Sequence, residues 1–213
     1  KERLTALNFD CIDGTKLNIE EFKKTLFEIE GIVIRARFTL NRDTLKDAVK
    51  LKFIARSGAG MENIDVAYCE QHNITLFNAP EGNRNAVGEH ALGMLLSLLN
   101  KIHTANKDVK NGKWEREFNR GIELDGKTIG LIGFGNNGQA FAKKLRGFEV
   151  EILAYDKYKT GFSDSQVKES NLTEIFQKTD ILSFHIPQND ETIYFGNETF
   201  FNSFSKPIFI LKF

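Results

Sequence analysis

Three glycines and one aspartate carry the most legible chemistry in this chain. Gly133, Gly135 and Gly138 form G-x-G-x-x-G within GKTIGLIGFGNNGQAFAKKLRGFEVEILAYD, and Asp156 follows eighteen residues after Gly138. Gly133 permits a tight turn out of a strand. Gly135 lacks a side chain, so backbone there can approach a pyrophosphate closely. Gly138 lets a helix pack against that strand. The free N–H groups at the helix start, near Asn136 and Asn137, then face an anion with the helix dipole behind them. Asp156 can accept hydrogen bonds from both hydroxyls of an adenosine ribose, where a 2′-phosphate would meet like charge. The pattern therefore points to a dinucleotide site that takes NAD rather than NADP. A glycine turn that binds nothing, or a flavin or S-adenosylmethionine site on a related turn, are the alternatives.

Such a site needs strand, turn, helix and strand in that order, and the flanking residues supply them. Thr128–Ile132 is a short apolar run of the buried-strand type, Ala140–Leu145 has helical character, and Val150–Tyr155 is a second apolar strand. Upstream, Glu2–Leu7 reads as the tail of a helix and Phe9–Ile12 as a short strand. Ile19, Phe22, Leu26 and Ile29 recur at helical spacing. Gly31–Arg35, Phe53–Arg56 and Ile74–Phe77 read as strands, with Asn41 capping a helix that runs to Val49 and Asp65 capping one that runs to His72. Downstream come a helix near Leu172–Lys178, a strand Ile181–His185, a short helix Glu198–Phe204 and a last strand at Pro207–Phe213. Strands alternating with helices predict an α/β fold with parallel sheets.

Asn78–Asn83 (NAPEGN) is the clearest break in the pattern, and it divides the chain into 1–82 and 83–213. A single long helix, from about Asn85 to Lys107, is expected after it. Its middle, HALGMLLSLLNKI, is apolar nearly all round, which predicts burial on more than one side. Asn111–Asp125 is polar and loop-like and contains Trp114.

Composition narrows the function. Lys plus Arg and Asp plus Glu number 29 each, so the formal charge is zero and there is no electrostatic case for nucleic acid or an anionic membrane. Cys11 and Cys69 are the only cysteines, which favours a reducing, cytoplasmic compartment. The longest apolar stretch, Ala91–Leu99, is too short to span a bilayer. His72, His90 and His103 lack ligand spacing, so no metal is expected. The chain begins with Lys and stops within the apolar run PIFILKF, so truncation at both ends is expected.

Together, RSGAGMENID (Arg56–Asp65), NAPEGNRNAVGEHALGMLLSL (Asn78–Leu98), the G-F-G-x-x-G turn, the strand ending in Asp156 and SFHIPQNDET (Ser183–Thr192) resemble the NAD-dependent D-2-hydroxyacid dehydrogenases, most closely the D-3-phosphoglycerate dehydrogenase branch. The resemblance implies two doubly wound parallel-sheet domains, both incomplete. One is a flavodoxin-like substrate domain at 1–82 without its first strand; the other is a Rossmann NAD-binding domain at 83–213 without its C-terminal part. It implies that backbone N–H groups of Ser57, Gly58 and Ala59 meet the substrate carboxylate, with Arg56 as a substrate-side arginine. Ala79 and Val87 match positions lining the nicotinamide side, and His185, Ile186 and Pro187 match the loop beneath the cofactor. Read alone, His185 is a strand-end histidine with a satisfied hydrogen bond.

The implied reaction moves a hydride between C2 of a 2-hydroxy acid, 3-phosphoglycerate in the branch resembled, and C4 of the nicotinamide. The family's catalytic arginine, glutamate and histidine are expected beyond Phe213, so the chain as given is expected to bind rather than turn over. Asn137 departs from the usual Ile or Met, and FILKF from an Asn-containing strand end. A homodimer through the helix at 85–107 is also implied, with Leu95 and Leu99 as the residues whose replacement by Glu splits it. The competing reading is a non-catalytic dinucleotide-sensing module of corepressor type, since the fold does not force catalysis.

Overall fold

A computed structural model describes residues 2–212 and divides the chain into two compact units, Lys1–Gly82 and Asn83–Phe213. In the first unit, α1 (Glu2–Thr5) and α2 (Ile19–Thr25) precede β1 (Gly31–Ile34). Then come α3 (Arg42–Leu45), β2 (Phe53–Arg56), α4 (Val66–Gln71) and β3 (Thr75–Phe77). Local chemistry sets the helix starts. Asn18 and Glu21 form a reciprocal capping box on α2, and the side chains of Asn41 and Asp65 accept the N–H groups of Thr44 and Tyr68 in the first turns of α3 and α4. The three strands are parallel in the order β1-β2-β3, pairing Ile32 with Ile54 and Ile54 with Leu76. Phe22, Leu26, Leu40, Leu45, Ile54 and Cys69 form the core around them.

Two expectations for this unit fail. Phe9–Ile12 joins no ladder: Phe9 and Ile12 face solvent, and the Asp13 carboxylate instead turns the chain by accepting the N–H and hydroxyl of Thr15. The helix capped by Asn41 ends at Leu45 rather than Val49, because single turns replace it there (Ala48 N–H to Leu45 O, 2.9 Å; Leu51 N–H to Ala48 O, 3.1 Å). These turns still deliver Ala48 and Leu51 to the core.

In the second unit α5 (Arg84–Leu99) and α6 (Ile102–Lys110) come first. Then follow β4 (Thr128–Ile132), α7 (Asn136–Lys144), β5 (Glu151–Tyr155), β6 (Val167–Glu169), α8 (Leu172–Lys178), β7 (Ile181–Phe184), α9 (Glu198–Asn202) and β8 (Phe209–Leu211). All five strands are parallel, in the order β6-β5-β4-β7-β8. The chain winds outward from β4 in one direction, then returns to the other side of β4 with β7. That reversal opens a crevice at the carboxyl ends of β4 and β7, where ligands bind in open α/β sheets. β4 is buried at every residue, as a central parallel strand covered on both faces must be. One face carries Ala91, Leu95, Leu99, Phe141 and Leu145; the other carries Ile175, Phe184 and Phe200.

The long helix is broken. Lys101 adopts the left-handed conformation (φ 50°), so α5 and α6 are separate. The loop before β4 causes this: Ile122 N–H donates to the Leu99 carbonyl at 3.0 Å, and Lys101 Nζ donates to the Phe118 carbonyl. α5 buries one face, not several. Gly88, Ala91, Leu95 and Leu99 point inward, with Leu95 and Leu99 0% and 2% exposed, while Met94 and Leu98 are 37% and 45% exposed. Leu95 and Leu99 are therefore core residues of their own unit and cannot serve as interface probes. The short edge strand β6 escapes sequence reading, because only Val167 of its three residues is buried. The last strand is confined to Phe209–Leu211, and Phe213 lies outside the described residues.

Candidate functional site

The glycine turn sits at the mouth of the β4/β7 crevice, and each glycine has a separate reason to be there. Gly133 adopts φ +93°, and a Cβ on it would lie 2.8 Å from the His185 carbonyl oxygen. A Cβ on Gly138 would lie 2.3 Å from the Gly133 carbonyl oxygen, so α7 approaches the turn too closely for any side chain. A Cβ on Gly135 would meet nothing within 4 Å, so this position faces open space. α7 has no side-chain cap, and its first helical hydrogen bond is Gln139 N–H to Gly135 O at 3.1 Å. The N–H groups of Gly135, Asn136, Asn137 and Gly138 therefore precede the helical ladder and suit an anion.

Asp156 directly follows β5 and anchors the turn as well as facing it. Its Oδ2 accepts Phe134 N–H at 2.8 Å, and its Oδ1 accepts Tyr158 and Lys159 N–H at 2.9 and 3.1 Å. A carboxylate offers about four acceptor positions, so three such bonds orient it and leave capacity for a hydroxyl donor. The next residue, Lys157, forms an ion pair with Glu191 (2.8 Å), and the Tyr158 hydroxyl donates to the same Glu191 oxygen.

His185, at the end of β7, is a scaffold group. Its N–H donates to Ile132 O at 2.7 Å, its Nε2 lies 3.0 Å from the buried Ser183 hydroxyl, and its ring rests on Phe141 with centroids 5.5 Å apart. Burial pushes its pKa down to about 4, with the Lys212 ammonium adding in the same direction, so the imidazole is neutral at pH 7. Its backbone carbonyl, not its ring, borders the glycine turn. Ile186 also contributes to that border, while Pro187 is exposed.

In the first unit, the loop after β2 gathers the other candidates. Arg56 Nε donates to Asn63 Oδ1 at 3.0 Å, Asn63 Nδ2 donates to Phe38 O at 3.1 Å, and Nη2 of Arg56 lies 3.5 Å from Glu62. A Cβ on Gly58 would lie 2.5 Å from Nη1 of Arg56, so the glycine leaves room for the guanidinium. Two of the three N–H groups named for a carboxylate are already engaged: Ser57 donates to Ile34 O (2.7 Å) and Gly58 to Arg56 O (2.9 Å). Among the described residues the Ala59 N–H has no acceptor. Ala79 is exposed and its N–H is tied to Gly58 O at 2.9 Å; Val87 is half-buried in the first turns of α5. Sequence reasoning missed Asn63, Ser183 and Glu191, because each acts through a partner brought near only by folding. No cluster suited to a metal ion occurs among the described residues, and no described helix is long and apolar enough to cross a membrane.

Comparison with known proteins agrees with this geometry. Residues 92–212 match the family model of the D-isomer specific 2-hydroxyacid dehydrogenase NAD-binding domain. A D-3-phosphoglycerate dehydrogenase of Archaeoglobus fulgidus is 36% identical over 181 residues, covering 84% of this chain and 34% of the relative. A hydroxypyruvate reductase of Thermotoga maritima is 36% identical over 186 residues, covering 87% of this chain and 60% of the relative. The solved structure of an NAD-dependent formate dehydrogenase from Staphylococcus aureus in complex with NAD superposes with a TM-score of 0.80 at 25% identity, over 98% of this chain and 63% of that one. The chain thus spans about a third of the phosphoglycerate dehydrogenase it matches. With a doubly wound parallel sheet, a glycine turn at its switch point and a match over more than half its length, the chain belongs to the D-isomer specific 2-hydroxyacid dehydrogenase family, and its second unit carries that family's NAD-binding domain.

Proposed function

We propose that this chain is the cofactor-binding and part of the substrate-binding portion of a cytoplasmic dehydrogenase that interconverts a D-2-hydroxy acid and its 2-keto acid, with 3-phosphoglycerate as substrate in serine biosynthesis. The observation that carries the reading is the uncapped α7 N-terminus behind Gly133, Gly135 and Gly138, with Asp156 bonded to Phe134 in the same turn. Gly135, Asn136, Asn137 and Gly138 hold the pyrophosphate and Asp156 the adenosine ribose. The backbone of His185, Ile186 and Pro187 supports the cofactor from below, and Ala79 and Val87 line the nicotinamide side. NAD, when bound, supplies a hydride acceptor.

Residues 1–82 form the substrate domain in this reading. Arg56 offers a fixed cation for an anionic substrate group, and Ala59 N–H a carboxylate donor; Ser57 and Gly58 shape the loop rather than donate from it. Two curated relatives named above act, by their names, on 3-phosphoglycerate and hydroxypyruvate, which supports a small 2-hydroxy or 2-keto acid. No residue of the chain as given is assigned to proton transfer. The exposed strip of Met94, Leu98, Phe118 and Phe209, bordering a groove of about 940 Å³, supports a homodimer through α5.

Calorimetric titration with NAD and NADP tests the cofactor site. NAD is expected to bind more tightly, and equal or tighter NADP binding would overturn the role of Asp156.

A further inference from the structure

Asp156 alone does not account for discrimination against a 2′-phosphate, because Lys157 follows it directly. A cation next to the ribose carboxylate is what an NADP site uses. Here that cation is occupied. Lys157 Nζ lies 2.8 Å from Glu191 Oε2, and it sits 5.3 Å from the Tyr158 ring centroid. The Tyr158 hydroxyl donates to the same Glu191 oxygen. Glu191 belongs to the loop after β7, where Asn189 holds it by accepting the Glu191 N–H at 3.1 Å and the Thr192 N–H at 3.0 Å. Thr192 Oγ1 in turn donates to the Asn189 side chain at 3.0 Å, and Asn189 N–H returns a bond to Thr192 Oγ1 at 2.9 Å. The other nearby cation, Lys159, points its Nζ toward the Phe134 carbonyl oxygen at 3.5 Å.

From this arrangement we infer that Glu191 is a cofactor-specificity residue: it sequesters Lys157, the cation that directly follows Asp156, so this lysine is not offered to a 2′-phosphate. The inference rests on the placement of Asp156 at the adenosine ribose. An exposed ion pair by itself is weak. Glu191 acts here by more than the pair, because Tyr158 fixes the same oxygen and the Asn189 turn fixes its backbone. A 2′-phosphate carrying nearly two negative charges would need Lys157 to offset the Asp156 carboxylate. The Lys157 pKa is raised and that of Glu191 lowered by their mutual hydrogen bond, as such a pair requires.

The test is the ratio of NADP to NAD dissociation constants, measured by calorimetry on the 213-residue chain. The unaltered chain should prefer NAD. Glu191→Gln should shift the ratio toward NADP by about twofold to fivefold, the scale for one nearby surface charge. Adding Lys157→Ala to Glu191→Gln should take back most of that gain. A ratio unmoved by Glu191→Gln overturns the inference while leaving the NAD site intact. A gain that survives Lys157→Ala overturns it too, since bulk charge and not the freed lysine would then be responsible. An unaltered chain that binds neither cofactor, or NADP as tightly as NAD, removes the ribose role of Asp156 and the inference with it.

Discussion

Asp156 and His185 show how differently two polar residues of one crevice behave. Asp156 accepts three backbone N–H groups and so is oriented before any ligand arrives. Its replacement by Ala should weaken NAD binding by about 1–3 kcal/mol, the scale for a hydrogen bond to a charged group, and reduce the preference over NADP. Paired titrations of both cofactors check this. His185 is half-buried, with a pKa near 4 against an ordinary 6.5. The unfolded chain therefore binds a proton that the folded chain refuses, and stability falls as pH drops from about 6.5 toward 4. Between pH 6.5 and pH 5 the loss from this group should be about 2 kcal/mol. Urea unfolding at the two pH values measures it, and His185→Phe should flatten the slope. Glu174 does not confound that window. Hydrogen bonds from Lys168 and Lys178 hold its pKa near 2, so its contribution is lost only as pH falls below the ordinary carboxylate range.

At the scale of elements, α5 is the decisive case. Its apolar character was plain in HALGMLLSLL, but an all-round apolar helix cannot reveal which residues meet their own sheet and which are left outward. Folding sorts them: Leu95 packs with Phe141 and Leu145 in the core, while Met94 and Leu98 stay on the surface. Met94→Glu or Leu98→Glu should therefore dissociate a dimer with little loss of monomer stability. Leu95→Ala should cost about 2–5 kcal/mol through a core cavity. Sedimentation velocity together with urea denaturation separates the two effects, and dissociation by neither surface variant would refute the α5 interface. The break at Lys101 was hidden for a related reason: the group that ends α5, the Ile122 N–H, lies more than twenty residues further along the chain.

For the molecule as a whole, the two units divide the work proposed for them. The cofactor unit presents the glycine turn with Asp156 bonded to it, and the proposed reading gives none of the described residues a role in proton transfer. The chain as given should bind NAD yet show no NADH oxidation with 3-phosphohydroxypyruvate or simple 2-keto acids. Loss of general acid–base catalysis alone costs about 10²–10⁴-fold. Steady-state absorbance of NADH checks this. Turnover within tenfold of a full-length relative would show that residues present in the chain perform the proton transfer.

The amino-acid sequence by itself determined the α/β class, the parallel strands, the helix caps at Asn41 and Asp65 and the dinucleotide turn. Each of these is written in a few neighbouring residues: an apolar run, a cap, a glycine at a fixed interval. Only the tertiary structure decided the strand order β6-β5-β4-β7-β8, which makes the crevice, and the fate of Phe9–Ile12, which found no strand to pair with. It also decided that Ser57 uses its N–H group internally, that His185 is a neutral prop under Gly133, and that Glu191 meets Lys157. The physical reason is common to all of these. A local pattern fixes which conformation a segment prefers, but a hydrogen bond or ion pair between residues thirty positions apart exists only after packing has brought them within about 3 Å.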